Sequence, residues 1–321
     1  MNPLTGLYGA GIALRNTLFD RGVLPALRLR RPVISVGNLS AGGSGKTPFV
    51  IALGELLKER GIQFDVLSRG YRRQTRGVLV VEPQGSASDF GDEPMLIARR
   101  LSVPVIVGER RYEAGLIAEQ KFKTQMHLLD DGFQHRSLAR AFDIVLIAPG
   151  DFEDRLLPSG RLREPLASLK RADAIVLPQG LANEHPALRA KPLWSMQREI
   201  VLSAVPSAPL VFCGIARPQQ FFAQVRAAGV TPAAEIVFRD HHAYDMDDIQ
   251  VLLGARRDLD AGGFLTTEKD AINLGDLRFG LEPLTVAILT LTLDRPADLV
   301  NTILARIAEP GRAREKIVGS A

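Results

Sequence analysis

The run Ser40-Ala41-Gly42-Gly43-Ser44-Gly45-Lys46-Thr47 has the residue types and spacing to cradle a phosphate chain. Its glycines let backbone N–H groups turn inward on phosphate oxygens. A helix opening at Thr47 adds the partial positive charge of its N-terminus. Lys46 is placed to reach β- and γ-phosphates, and the Thr47 hydroxyl to take a position on Mg²⁺, so the implied ligand is ATP with Mg²⁺. Ser40 stands where glycine is usual, and Gly42 and Gly43 supply the missing flexibility. A chance glycine-rich turn is the competing reading. Against it, the strand-like PVISVG before the loop and the helical pattern after it are both in register.

A phosphate loop needs an acidic partner at a neighbouring strand end. His127-Leu128-Leu129-Asp130-Asp131 supplies one, an apolar strand ending in two carboxylates. Asp130 is the first choice for the Mg²⁺ shell and Asp131 the second. By itself the Asp-Asp-Gly sequence would read as an ordinary turn. Cys213, the single cysteine, lies in the apolar run PLVFCGIA and reads as a buried hydrophobe rather than a nucleophile.

These residues need elements to hold them, and from residue 32 short β-branched runs alternate with helical stretches. That pattern predicts a P-loop NTPase-type α/β fold, a parallel sheet covered by helices. Strands are expected at PVISVG, FDVLS, VLVVE, VPVIVG, MHLLD, FDIVLIA and ADAIVLP, with helices over 47–60, 93–101 and 110–121. The small, proline-rich SAVPSAP around residue 206 reads as a linker. Beyond it LVFCGIA, EIVFRD, GGFLTTEKD and LTVAILTLTL alternate with helices over 218–228, 246–256 and 296–308. The expected organisation is therefore an N-terminal segment 1–31, a P-loop domain 32–205, and a smaller α/β domain 206–321 closing over the site.

Residues 4–19 fit an amphipathic helix, with Leu4, Leu7, Tyr8, Gly11, Leu14 and Leu18 on one side. Thr5, Gly9, Ala13, Asn16 and Thr17 fall on the other. Arg15, Arg21, Arg28, Arg30 and Arg31 accompany a single acid, Asp20, within the first 31 residues. Apolar insertion plus clustered arginines suits a membrane-surface anchor, and a helix docked on its own domain is the plainer alternative. The first residues lack the basic n-region of a secretory signal. With 321 residues, 46% hydrophobic and 24% charged, the chain has an ordinary globular composition and no apolar run of membrane-spanning length.

Several stretches together resemble one family, the tetraacyldisaccharide 4′-kinases, the lipid A 4′-kinases of Gram-negative bacteria. They are ISVGNLSAGGSGKTP, LSRGYRR, GDEP, VGERRYEA, LLDDGFQHR, LLPSGRLREP, FRDHHAY and LTTEKDA, and they span most of the chain. GDEP, LLDDGFQHR and GRLREP are not general P-loop features. The resemblance implies transfer of the ATP γ-phosphate to the 4′-hydroxyl of a tetraacyldisaccharide 1-phosphate, forming lipid IVA. It also implies a glycolipid partner and peripheral attachment at the cytoplasmic face of the inner membrane, which favours the anchor reading of the N-terminal helix. Protein partners are not legible.

The resemblance further implies that Asp92, in GDEP, accepts the proton of the attacking hydroxyl, with His241 as its partner; His242 stands beside it as the alternative. The plainer readings are a helix cap for Asp92 and surface positions for the histidines. Arg111, Arg161 and Arg163 are fixed charges suited to phosphate, Arg163 foremost. His135 and Glu93 are weaker candidates, and the Thr266–Asp270 segment matches the family without a derivable role. Two other classes compete: a membrane-surface P-loop ATPase switch without transfer chemistry, and a nucleic-acid binder suggested by the pI near 9.4. The switch type carries an early loop lysine, where this chain has Ala41. Nucleic-acid binding lacks interleaved aromatics, with one Trp and four Tyr. A GTPase is disfavoured because TTEKD has the letters of a guanine-reading motif in the wrong order.

Overall fold

The computed structural model describes residues 3–181, 184–189 and 191–309. Twelve strands form a sheet in which most neighbouring pairs run parallel. In chain order they are β1 (Val33–Asn38), β2 (Phe64–Ser68), β3 (Leu79–Val80), β4 (Val105–Val107), β5 (Met126–Asp130), β6 (Phe142–Leu146), β7 (Ala174–Pro178), β8 (Leu193–Val201), β9 (Leu210–Cys213), β10 (Ala234–Val237), β11 (Phe264–Thr267) and β12 (Leu284–Leu293). The sheet order is β10-β9-β11-β12-β8-β7-β6-β1-β5-β2-β4-β3. The helices are α1 (Pro3–Asp20), α2 (Lys46–Glu59), α3 (Ala87–Phe90), α4 (Asp92–Leu101), α5 (Arg111–Lys121), α6 (Pro218–Ala227), α7 (Met246–Asp258), α8 (Glu268–Leu274) and α9 (Pro296–Ala308).

Strands β1, β2, β5 and β6 are buried along their whole length, which is why they read as unbroken apolar runs rather than alternating ones. Phe49, Val50, Leu53 and Leu57 of α2 pack on one face of this sheet with Met95, Ile97 and Leu101 of α4 and Leu299 and Ile303 of α9. A second cluster, including Leu39, Phe133, Val145 and Ile175, fills the other face. β1 lies between β5 and β6, so the chain leaves β1 where strand order turns to either side, the place where open α/β sheets bind ligands.

Beyond residue 209 the chain builds β9–β11, with α7 and α8 around an apolar cluster containing Phe212 and Phe264 and α6 around another containing Val211, Phe222 and Leu265. An antiparallel pairing of β12 with β8 joins these strands to the P-loop sheet. Three elements depart from the expectations. VLVVE is a strand only at Leu79–Val80, and GGFLTTEKD becomes a strand followed by α8, capped by the Thr267 hydroxyl. β8 was not anticipated, because only Trp194 and Met196 alternate cleanly into the core before charged residues take over.

α1 lies on the P-loop end of the sheet without a buried residue. The expected apolar face is divided. Tyr8 turns inward, its hydroxyl donating to the Arg163 carbonyl at 3.0 Å, and Asn16 donates to Glu164 at 2.8 Å. Leu4, Leu7 and Leu14 face outward and are more than half exposed, with Val23 and Leu27 beyond them. Among the described residues, no helix is long and apolar enough to cross a membrane.

Candidate active site

The phosphate loop connects β1 to α2, and two of its glycines adopt backbone angles that L side chains resist, Gly42 at φ 88° and Gly45 at φ 85°. Residues 161–163 run beside the loop: the Ala41 N–H donates to the Arg161 carbonyl at 2.7 Å, and the Arg163 N–H to the Leu39 carbonyl at 2.7 Å. This pairing delivers Arg163 to the loop mouth. Its guanidinium grips both oxygens of Asp131 at 2.8 and 3.0 Å and also donates to the Asn38 side chain. Lys46 reaches the same pair of acceptors, Asn38 Oδ1 at 3.2 Å and Asp131 Oδ1 at 3.5 Å. Burial alone would raise the Asp131 carboxyl, and the Lys46 and Arg163 charges overcome it and hold it far below the usual carboxylate range.

Asp130 has the opposite environment. It closes β5 fully buried, accepts from the Ser68 hydroxyl at 3.2 Å, and leaves Oδ1 without a partner. Burial, with Glu93 and Asp131 nearby, pushes its pKa up to about 7. A buried carboxylate with a free oxygen, within electrostatic reach of Lys46 in the phosphate loop, fits a cation better than Asp131, whose oxygens are already held. Arg111, at the first turn of α5, is buried within electrostatic reach of both aspartates and donates to the Glu109 carbonyl at 2.8 Å. Arg161 instead pairs with Asp154 at 2.9 Å in a half-solvated position. His135 bonds Ser137 at 3.2 Å, and burial followed by the Arg111 charge pushes its pKa down to about 4.

Asp92 and His241, 149 positions apart, meet at 2.8 Å between Oδ2 and Nδ1. Asp92 is the first residue of α4 rather than its cap; Gly91 takes the cap position at φ 89°. The carboxylate is 4% exposed. Burial would raise its pKa, and the His241 hydrogen bond and the Lys269 charge bring it below the usual value. The same hydrogen bond raises His241. His241 holds φ 92°, strained backbone for any residue but glycine, fixed by its N–H donating to the Gly214 carbonyl at 2.9 Å. His242 turns away, bonding Asp248 at 2.7 Å and stacking on Phe238.

The Thr266–Asp270 segment acquires a physical role. Asp270 accepts from the Gly214 N–H at 2.8 Å and the Tyr244 hydroxyl at 2.9 Å, so it ties the far end of the His241 loop to the residue after β9 whose carbonyl receives the His241 N–H. Lys269 bonds Glu93, the neighbour of Asp92. Cys213 is buried, and burial pushes its thiol up to about 12, as an inert core residue requires.

Sequence reasoning overlooked Asn38, which ties Lys46 to Arg163; its place at the end of β1 was the available signal. It also overlooked Glu164, fully buried and bonded to Arg171, Ser168 and Asn16, and two arginines, Arg198 and Arg217, that lie against the phosphate loop.

Comparison with known proteins gives concordant results. A family model described as tetraacyldisaccharide-1-P 4′-kinase matches residues 1–308. A protein of Koribacter versatilis named tetraacyldisaccharide 4′-kinase is 49% identical over 319 residues, covering 96% of this chain and 99% of that protein. A protein of the same name from Aquifex aeolicus is 40% identical, covering 85% and 88%. A crystal structure of LpxK from Aquifex aeolicus in complex with ATP superposes with a TM-score of 0.78 at 36% identity, covering 95% of this chain and 98% of that one.

Proposed function

We infer that this chain, which belongs to the tetraacyldisaccharide-1-P 4′-kinase family, transfers the γ-phosphate of ATP to the 4′-hydroxyl of a tetraacyldisaccharide 1-phosphate, giving lipid IVA. It is a P-loop phosphotransferase whose nucleotide substrate is ATP, the ligand in the related crystal structure. Residues 40–47 bind the triphosphate through backbone N–H groups, and Lys46 and Arg163 offset the negative charge that spreads over the moving phosphoryl group. Thr47 and Asp130 are the residues suited to Mg²⁺, which when bound neutralises phosphate oxygens; the unpartnered Asp130 Oδ1 supports this choice over Asp131. Asp131 positions Lys46 and Arg163, and Arg111 adds buried positive charge at the same strand end.

The observation that carries the transfer chemistry is the Asp92–His241 contact of 2.8 Å. Asp92 accepts the proton of the 4′-hydroxyl as that oxygen attacks. His241, donating from Nδ1, keeps the carboxylate oriented and shares the charge that moves. The pair stands where the start of α4 meets the loop after β10, and the 4′-hydroxyl has to reach Asp92 there. A pure ATPase switch has no use for such a pair.

The exposed Leu4, Leu7 and Leu14 of α1, with Arg28, Arg30 and Arg31 following, support peripheral attachment at the cytoplasmic face of the inner membrane. The polar contacts of α1 to residues 163 and 164 would hold that surface next to the site. We divide the chain into this N-terminal segment, the P-loop domain of 32–205 and a smaller α/β domain from 206; of the last, residues 310–321 lie outside the described residues. Incubation with radiolabelled ATP and the disaccharide 1-phosphate tests the function. Label in the lipid is expected, and ATP hydrolysis without labelled lipid would favour the switch.

A further inference from the structure

Two arginines of the phosphate loop's surroundings have no part in the chemistry above. Arg198 projects from β8 and Arg217 immediately precedes α6, so neither belongs to the β1–loop–α2 unit. Both nevertheless pack on it. The Arg198 guanidinium lies so close to Gly45 that a methyl group there would collide with it, and it donates to the Ser44 carbonyl. The aliphatic stem of Arg217 runs along Gly43, 3.9 Å from where a side chain would begin.

Among the described residues, neither guanidinium is bonded to a carboxylate. Arg217 Nη2 is shut off from solvent with no acceptor among the described residues, an expensive arrangement for a cationic donor. The nearby acid, Asp151, bonds the Ala148 N–H at 2.8 Å instead. Burial weakens the hold of both arginines on their protons; the Arg217 charge adds to this at Arg198, and at Arg217 the Arg161 charge adds to it while Asp151 opposes it. Cationic side chains pressed on a glycine-rich loop, short of acceptors and repelling one another, are relieved by an anion seated in that loop. A triphosphate offers many charged acceptors, and bonds from guanidinium to phosphate are stronger than one to a peptide carbonyl.

We propose that Arg198 and Arg217 bind the phosphate chain of the nucleotide, contributed to the loop by β8 and the start of α6. The proposal rests on the ATP-kinase reading. It explains why the second half of the chain is needed at the nucleotide as well as at Asp92, since α6 follows the same β9 end that holds the His241 loop through Gly214.

Four variants of the full chain test it: Arg198→Gln, Arg217→Gln, Arg198→Lys and Arg217→Lys. ATP affinity is measured by calorimetry at low and high salt, adenosine by competition, and the ligand-free melting temperature alongside. The Gln variants are expected to bind ATP about tenfold to a hundredfold more weakly, with adenosine unchanged and a shallower salt dependence. The Lys variants should recover part of the loss. ATP binding within about threefold of wild type in both Gln variants overturns the proposal. So does an equal loss for ATP and adenosine, or a Lys variant no better than its Gln counterpart, since either marks a packing role. A Gln variant that does not fold leaves the Lys variant and its salt dependence to decide. Wild-type protein that binds no ATP defeats the kinase reading itself, a result distinct from any of these.

Discussion

Removing the Asp92 carboxylate charge should stop the chemistry while leaving the fold standing, and the structure sets both magnitudes. In Asp92→Asn the side-chain oxygen that accepts from the Glu93 N–H at 2.8 Å can stay in place, and the group facing His241 becomes a donor. One charge-assisted hydrogen bond is lost, worth about 1.5–3 kcal/mol, which lowers the melting temperature by several degrees in a chain of this size. Loss of a general base costs about 10²–10⁴-fold in kcat. Asparagine is also the change at the other position: the φ 92° backbone is strained for every side chain, and His241→Asn keeps a polar group there while removing the imidazole. If Asp92 and His241 act in one step, the double variant should be about as slow as the worse single. Two independent losses of about 10³ would instead multiply to about 10⁶. Single-turnover assays on the two singles and the double, with ATP affinity measured in each, decide between these. Multiplying losses, or a drop in stability that accounts for the drop in activity, would return Asp92 to a structural role at the start of α4.

Other expectations follow from the same geometry. Lys46→Ala should lower kcat/KM by about 10²-fold or more, roughly 3 kcal/mol, yet fold, because Arg163 still holds Asp131; retention of more than about a tenth of the rate would contradict its role. Leu4, Leu7 and Leu14 replaced together by glutamine should weaken sedimentation with anionic vesicles, most clearly at high salt where the arginines are screened, and unchanged partitioning would make α1 merely a docked helix. Deleting α1 is a poorer test, since it also removes the contacts to residues 163 and 164. The Asp92–His241 pair should also shape stability against pH. The raised pKa of His241 makes its share complete below about 6.5 and lost as pH climbs through the raised value. The lowered pKa of Asp92 makes its share present above about 3.9 and lost as pH falls through the lowered value. Melting temperatures of wild type minus Asp92→Asn should therefore differ most at mildly acidic pH and converge toward alkaline pH; a constant difference would refute the pairing.

The phosphate loop and the strand carrying Asp130 were legible because their chemistry is local: backbone angles, a helix N-terminus and a strand end, all within a few residues. The pair Asp92 and His241 was not legible from spacing, since nothing local links residues 149 positions apart. The family's motifs supplied it, and the geometry separates His241 from His242, which faces Asp248. β8 escaped notice because it lies between β7 and β12 with only its first half alternating into the core, and the arginine it carries to the loop escaped with it. Asp270 illustrates the same limit. One oxygen of this buried carboxylate accepts from Thr267, the cap of α8, and the other ties Gly214 after β9 to Tyr244 of the His241 loop, which only the packing of β9 beside β11 makes possible.

The account stands or falls on phosphoryl transfer. Purified protein given γ-³²P-labelled ATP, magnesium and a tetraacyldisaccharide 1-phosphate in detergent or vesicles should yield a labelled lipid with a second phosphate on the 4′-oxygen. That product should be lost with Lys46→Ala and strongly reduced with Asp92→Asn. Release of labelled inorganic phosphate at the same rate with and without the lipid, and no label in the lipid phase, would contradict it.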